Sequence, residues 1–289
     1  MSSVASEPDQ RTPQVSDAPV LGTATAGHTR TIRVMWYREV LRLRRTPVRV
    51  VFALMSPLLF LLVLGTGLTS AMESAGDDAD YRVYLVPGVL LMAIQVPAVN
   101  TGVSIVWDRQ AGFLREMLVA PVRRSALLTG ICLGGTTVAV LHGILMLVFT
   151  ASMGISVRPH LLALVLLELV VIAFTLTAGG ILAAVCLERA ETFQAVVGIA
   201  LMPLLFLSGA LFPVSGLPGW LNGAVLANPM SYGVDAMRRT LPTGNFENVA
   251  ESGPHWWGWQ PPVVLEIAGL ALLACLTLTI AARRFSRIE

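Results

Sequence analysis

No lysine occurs in this 289-residue chain; its twenty basic residues are all arginine. That absence excludes chemistry built on a primary amine. A P-loop sets a lysine against nucleotide phosphates and Schiff-base catalysis needs an ε-amine, so this chain performs neither. Charge of either sign is scarce, at 13% of residues against about 25% in soluble domains. With 55% hydrophobic residues and a mean hydropathy of +0.71, a soluble globular domain is excluded. Cysteine is rare as well. Cys132, Cys186 and Cys275 sit far apart in apolar runs, which fits neither a disulfide framework nor a zinc site. His28, His142, His160 and His255 show no ligand spacing, so no metal is expected. Residues 1–29 are rich in Ser, Thr, Ala and Pro and lack an apolar block, which predicts a disordered tail rather than a signal peptide.

What is present is apolar length. Six runs, at about 50–68, 84–106, 126–152, 161–187, 192–212 and 263–282, can span a hydrocarbon core of roughly 30 Å, which takes about 20 helical residues. The expected fold is an all-α polytopic membrane protein with six transmembrane helices. Ahead of them, residues 31–47 are dense in arginine. As a helix they put Ile32, Trp36, Val40 and Leu43 on one stripe and Arg38, Arg42, Arg45 and Arg49 on another, which predicts an amphipathic interfacial helix. Arginine also sets the orientation. Sixteen arginines, including Arg109, Arg115, Arg123, Arg124, Arg189, Arg283, Arg284 and Arg287, fall on one side of the six runs. Arg82, Arg158, Arg238 and Arg239 fall on the other, so the expected location is the cytoplasmic membrane with both termini in the cytoplasm.

Two segments break the pattern. Between the second and third runs, a helix starting near Asp108 gathers Phe113, Leu114, Met117 and Leu118 on one side and Asp108, Arg109, Arg115 and Glu116 on the other. Pro121 ends it ahead of Arg123 and Arg124. It is too short to cross a membrane, so it lies flat, docks on a partner, or is a charged loop that only fixes topology. The second break is the stretch from Trp220 to Met237, interrupted by Asn222, Asn228, Pro229, Ser231 and Asp235. As a seventh span it would throw Arg283, Arg284 and Arg287 to the arginine-poor side. Residues 213–241 therefore read as an outer-face re-entrant or interfacial hairpin, followed by an aromatic anchor at Trp256, Trp257 and Trp259.

Inside the spans, Glu168 is the deepest carboxylate, at a depth where a charge costs about 2.5–3.5 kcal/mol on insertion scales. It reads as interhelical glue in neutral form, or as a substrate-path or proton-coupling group. Glu266 lies about a turn inside the outer boundary, where it can snorkel, and so says less. His142, with Asn100 and Gln95, either lines a cavity or forms interhelical hydrogen bonds. The pairs Gly134-Gly135 and Gly179-Gly180 mark close helix packing, and Pro57, Pro87, Pro97 and Pro203 mark kinks. A membrane-embedded hydrolase would draw on Ser208 or Ser231 with His142, which share no elbow motif and fall in different parts of the membrane.

Two motifs together resemble the ABC-2 type permease family. The segment Arg109…Gly112-Phe113…Arg115-Glu116-Met117-Leu118…Pro121-Val-Arg-Arg is similar to that family's coupling helix, with Ala120 where threonine is frequent. The segments Gly209…Pro213, Pro218-Gly-Trp220 and Asn228-Pro229…Tyr232…Asp235…Arg238 resemble its outer hairpin, especially in the daunorubicin-type drug-efflux branch. The likeness implies six spans, an N-terminal interfacial helix, a cytoplasmic coupling helix, and re-entrant outer helices before the last span. It further implies a pore shared with a second permease protomer (identical or paralogous), and two copies of a cytosolic ATPase that carry ATP and Mg. The chain itself then needs no cofactor and is not an enzyme, the lipid bilayer is its surroundings, and no nucleic acid takes part. The expected activity is export of an amphiphilic drug, antibiotic or lipid. The alternatives are a polysaccharide or glycolipid exporter of the same class and, from a different class, a proton-driven carrier using Glu168.

Overall fold

A computed structural model describes residues 24–74, 80–112, 124–155, 159–212, 214, 217–241, 253–256 and 259–285. In chain order the helices are α1 (Ala24–Arg45), α2 (Pro47–Ser74), α3 (Tyr81–Gln110), α4 (Arg124–Ser152), α5 (Leu162–Cys186), α6 (Ala190–Phe206), α7 (Gly219–Ala227), α8 (Pro229–Thr240) and α9 (Val263–Phe285). The first begins inside the stretch expected to be a disordered tail. Ala24 and Ala26 have the highest helix propensity of any residue type and extend it upstream; the tail before residue 24 lies outside the described residues. It stops at Thr46 because Pro47 starts a new helix, a position where its missing N–H costs nothing. Arg49 therefore belongs to α2 and not to the arginine stripe of α1.

Among the described residues, five helices, α2, α3, α4, α5 and α9, are long and apolar enough to cross a membrane. The expected sixth, α6, has 17 residues, about 25 Å of helix. It ends at Phe206 instead of continuing to residue 212, because the chain turns through Gly209 at φ +70, a left-handed conformation that suits glycine. All four expected proline positions stay within helices, and after Pro57 α2 widens into a π-helical turn at Phe60–Gly65.

Long α3 is the axis of the bundle: 78% of its most apolar window is buried, against 17% for α2 and for α9. Its neighbours approach at backbone distance. A Cβ on Gly180 of α5 would stand 2.6 Å from the Val99 carbonyl, one on Gly88 the same distance from the Ala210 carbonyl, and one on Gly135 of α4 would collide with Thr101. Gly130 and Gly134, one turn apart on α4, receive α1: their Cβ positions lie 2.7 Å from Met35 Cβ and from Glu39 Cβ. Gly179 differs from its neighbour, since nothing stands within 4 Å of it.

Contacts at helix termini divide the bundle into two ends. At one, Arg38 of α1 meets Asp108 of α3, Arg109 meets Leu187 after α5, and Arg124 of α4 meets Phe285 of α9. At the other, Tyr81 and Tyr84 of α3 meet Leu211 and Gly209 after α6, and α8 meets the start of α9. Both short helices stay at this second end, so among the described residues the hairpin does not cross the bundle. The start of α3 is fixed there by Asp80, which caps it by accepting from the Arg82 N–H at 3.0 Å. Burial alone would raise the Asp80 carboxyl, but hydrogen bonds from Arg82 and the Arg82 charge outweigh it and hold the carboxyl below its ordinary value.

Small residues bring these helices together because apolar helices in lipid gain nothing from hydrophobic transfer and associate through close packing. Gly134→Leu should therefore displace α1 and cost about 1–3 kcal/mol of overpacking. Gly198→Leu, at a position with nothing within 4 Å, should be tolerated. The monodisperse yield and melting temperature of purified protein distinguish them; equal behaviour of the two variants would contradict the packing assignment.

Candidate functional site

At the first end, charged groups join α1 to the root of the charged loop. Arg38 places Nη2 at 2.9 Å from Asp108 Oδ2 and 3.2 Å from Glu39 Oε1, and Arg42 sits 3.5 Å from Glu39 Oε2. Glu39 is the only acidic residue of α1 and its most buried, 6% exposed, so the face packed on α4 is Ile32, Met35, Trp36 and Glu39 rather than a purely apolar stripe. Trp36 adds an Nε1–H hydrogen bond to Thr137 at 3.0 Å. Helix α3 ends as the Ala111 N–H donates to the Trp107 carbonyl and Gly112 turns at φ +75.

Both roots of the loop are tied to the termini of other spans. Arg109 donates to the Leu187 carbonyl at 3.3 Å and Arg124 to the Phe285 carbonyl at 3.5 Å. These carbonyls stand at the C-terminal ends of α5 and α9, where a cation also meets the negative end of the helix dipole. Of the expected coupling residues, Arg109 and Gly112 are thus at the loop root; Phe113, Arg115, Glu116, Met117, Leu118 and Pro121 lie outside the described residues.

Beside this platform a cleft of about 120 Å³ opens between α1, α2, α3 and α4. Asn100 and His142 line it together with Glu39, Arg42 and Arg49. His142 Nδ1 lies 2.8 Å from the Val138 carbonyl. That contact requires a proton on Nδ1.

Glu168 is elsewhere. It is fully buried in the second turn of α5, where Oε1 accepts a 2.6 Å hydrogen bond from Thr240 Oγ1 at the end of α8. The three substrate-path candidates therefore do not form one site. Glu168 fastens the hairpin to the bundle, while Asn100 and His142 share the cleft near the other end.

The hairpin residues do converge. Asn228 accepts from the Met230 N–H at 3.0 Å, capping α8, and its own amide donates to the Leu204 carbonyl at 2.8 Å. Pro229 opens α8 and Pro218 precedes α7. Ser231 and Tyr232 donate to the carbonyls of Val225 and Leu226, folding α8 back on α7. Arg238, 2% exposed, donates to the Gly209 carbonyl at 2.7 Å and lies 4.4 Å from the Tyr84 ring centroid. Asp235 pairs with Arg239, which also reaches Glu266 Oε1 at 3.2 Å and the Pro261 carbonyl at 2.8 Å. Glu266 does not reach outward: it is 4% exposed and its carboxylate meets Arg239. Trp220 stands apart, 77% exposed, and Pro213 lies outside the described residues.

The chain is thus an apolar helical bundle with an arginine platform at one end and a helical hairpin at the other. The chain belongs to the ABC-2 type transporter family, which matches residues 30–241. The members of this family are transport subunits rather than enzymes, and in general work with an ABC ATPase. The chain is 29% identical over 231 residues to the daunorubicin resistance ABC transporter permease protein DrrB1 of Streptomyces coeruleorubidus, covering 78% of each. It is 27% identical over 210 residues to the transport permease ycf38 of Cyanophora paradoxa, covering 71% of this chain and 72% of that one. With the inner membrane transport permease YadH of Escherichia coli strain K12 the identity is 25% over 211 residues, 72% of this chain and 81% of that one.

Sequence reading missed the Arg38–Asp108 bridge and the burial of Glu39. A lone acidic residue among the arginines of α1 was the available signal. The Glu168–Thr240 bond gives a direct test. Glu168→Gln keeps an acceptor for Thr240 and should melt close to the parent. Thr240→Val leaves the buried carboxyl without a donor and should cost about 1–3 kcal/mol. Melting temperatures in nanodiscs report both, and an unaltered Thr240→Val would show the bond to be dispensable.

Proposed function

We propose that this chain is the membrane-spanning permease subunit of an ATP-binding-cassette exporter that moves an amphiphilic drug, antibiotic or lipid out across the cytoplasmic membrane. Six helices cross, with α6 completing its passage through the turn at residues 207–212, and both termini are cytoplasmic. Two copies of a cytosolic ATPase bind ATP and Mg, and a second permease protomer completes the pore. The observation that carries this reading is the clamping of both roots of the loop between α3 and α4. Arg109 and Arg124 tie them to the ends of α5 and α9, and Asp108 ties the first root to α1. A force applied to such a loop reaches five helices at once, α1, α3, α4, α5 and α9. A loop that merely set topology would need no such anchorage.

The ATPase is expected to bury Phe113, Met117 and Leu118 in a groove, with Arg115 and Glu116 paired at its rim. Each buried side chain of this kind contributes about 1.5–3 kcal/mol. Phe113→Ala combined with Met117→Ala should leave membrane insertion intact, lower ATPase co-purification more than tenfold, and uncouple hydrolysis from transport. Full retention of the ATPase with normal transport would sink the assignment. Daunorubicin export by cells carrying the chain and its ATPase is a direct substrate test, because the similar permease DrrB1 is named for resistance to that compound.

Orientation is tested separately. On a cysteine-free background, single cysteines at Asp78 and Asn245 should react from outside with a membrane-impermeant reagent. Those at Arg115 and Arg287 should react only after permeabilisation. External labelling at residue 287 would mean an odd number of crossings.

A further inference from the structure

The cleft between α1, α2, α3 and α4 has apolar walls and a charged rim, and the coupling reading gives it no occupant. Leu43, Val50, Ala53, Val96, Val103 and Val138 supply the walls. On the rim, Arg42 belongs to the last turn of α1 and Arg49 to the first turn of α2, so the two flank the break at Thr46 and Pro47.

The sign of the charge facing the cleft follows from the partners of each group. Glu39 is the one carboxylate in the lining; it is buried, with Oε1 held by Arg38 and Oε2 by Arg42. Arg38 is shared with Asp108. Arg49 is exposed, and its side chain makes no ion pair or hydrogen bond among the described residues. Three guanidiniums thus stand against two carboxylates, and the unmatched one lines the cleft. Deeper in, Thr46 and Thr101 donate to the carbonyls of Arg42 and Pro97, and His142 uses its Nδ1–H on the Val138 carbonyl. Asn100 is half-buried, and its amide has no partner among the described residues. Arg49 and Asn100 therefore keep free donors. The first turn of α2 adds the positive end of its dipole, with no acidic residue and no side-chain cap there.

An organic cation would meet Arg42 and Arg49 while the carboxylate was already engaged. A small soluble anion would satisfy the donors but leave the apolar walls wet. The volume of about 120 Å³ is room for about four waters, enough for a phosphate but not for acyl chains. Those have a place beside it, because Val48, Val51 and Phe52 turn an exposed apolar face outward from the same end of α2.

We infer that the cleft rimmed by Arg42, Arg49 and Asn100 holds the phosphate of a phospholipid with net negative charge. The lipid is a resident of the bilayer that joins α1 to α2 and α3, with its chains along the outer face of α2. This site goes beyond the exporter reading and is measured without ATPase or nucleotide, so the two fail separately.

The test incubates the full-length chain in detergent with equal amounts of phosphatidylglycerol and phosphatidylcholine and counts bound lipid by native mass spectrometry. Phosphatidylglycerol should be retained at least tenfold in preference to phosphatidylcholine. Arg49→Gln breaks no ion pair and should weaken retention about fivefold, which is what one basic residue beside an anionic headgroup contributes. Asn100→Leu costs no internal hydrogen bond, fills the cleft, and should weaken retention at least as much. Arg44→Gln, at the same end of α1 but outside the lining, should leave retention unchanged. Variants are scored as monodisperse protein; should one fail to fold, the other and the lipid preference decide. No preference for phosphatidylglycerol, or parental retention in either folded cleft variant, would overturn the site. An equal loss in Arg44→Gln would overturn it by showing surface attraction alone. Displacement of the lipid by inorganic phosphate would overturn it in favour of a soluble anion.

Discussion

Close approach of helix backbones is the constraint on which this structure depends. Lipid tails are as apolar as the side chains of the spans, so burying leucine between helices gains little. What holds the bundle is van der Waals contact, and contact at this range requires positions without a Cβ. Around α3 those positions are Gly88 against Ala210, Gly102 against Gly180, and Gly135 against Thr101. They run along most of the helix, so α4, α5 and the exit from α6 are pressed to one axis from end to end. Helices α2 and α9 keep apolar faces outward, including Phe52, Val63, Val264 and Leu272. Such faces suit lipid or another apolar helix.

With the middle of the bundle closed, polar interactions collect at its ends, and the two ends differ in kind. The first carries arginines that reach carbonyls terminating other helices, at Leu187 and Phe285, together with the Arg38–Asp108 pair. These contacts are partly exposed, and exposed pairs of this sort contribute little to stability. Their value is positional, since they fix where the loop begins and ends. The second end is buried. Arg238, Asp235, Glu168 and Glu266 are each less than 5% exposed. Removing one member of such a network leaves a charge or donor unpaired, so the hairpin is held as one unit with α3, α5 and α9.

The spans were legible because their signal is composition over length, which survives without tertiary information. The break at Asn228-Pro229 was legible too, and it separates α7 from α8. Pairwise partners were not. Glu266 near a span boundary looks free to reach water until Arg239, 27 residues away, is seen beside it. Glu39 looks like a solvated residue in an arginine-rich helix until Gly134 brings α1 against α4. Asn100, His142 and Glu168 were each candidates for a substrate path, and helix register sends the last toward Thr240 and the others toward the cleft. The length of α6 was misjudged for a local reason: residues 207–212 remain apolar in sequence while Gly209 has already turned the chain.

The same helix that carries the glycine contacts joins the two ends. Its C-terminus bears Asp108 and Arg109, and its N-terminal turns bear Tyr81 and Tyr84 against Leu211, Gly209 and Arg238. On the proposed function, a push on the loop moves α3 relative to α8 at the hairpin. The Gly209 carbonyl is the shared point there, since it accepts from both Tyr84 and Arg238 and sits in the turn that ends α6. A glycine at positive φ lets the turn form there without backbone strain.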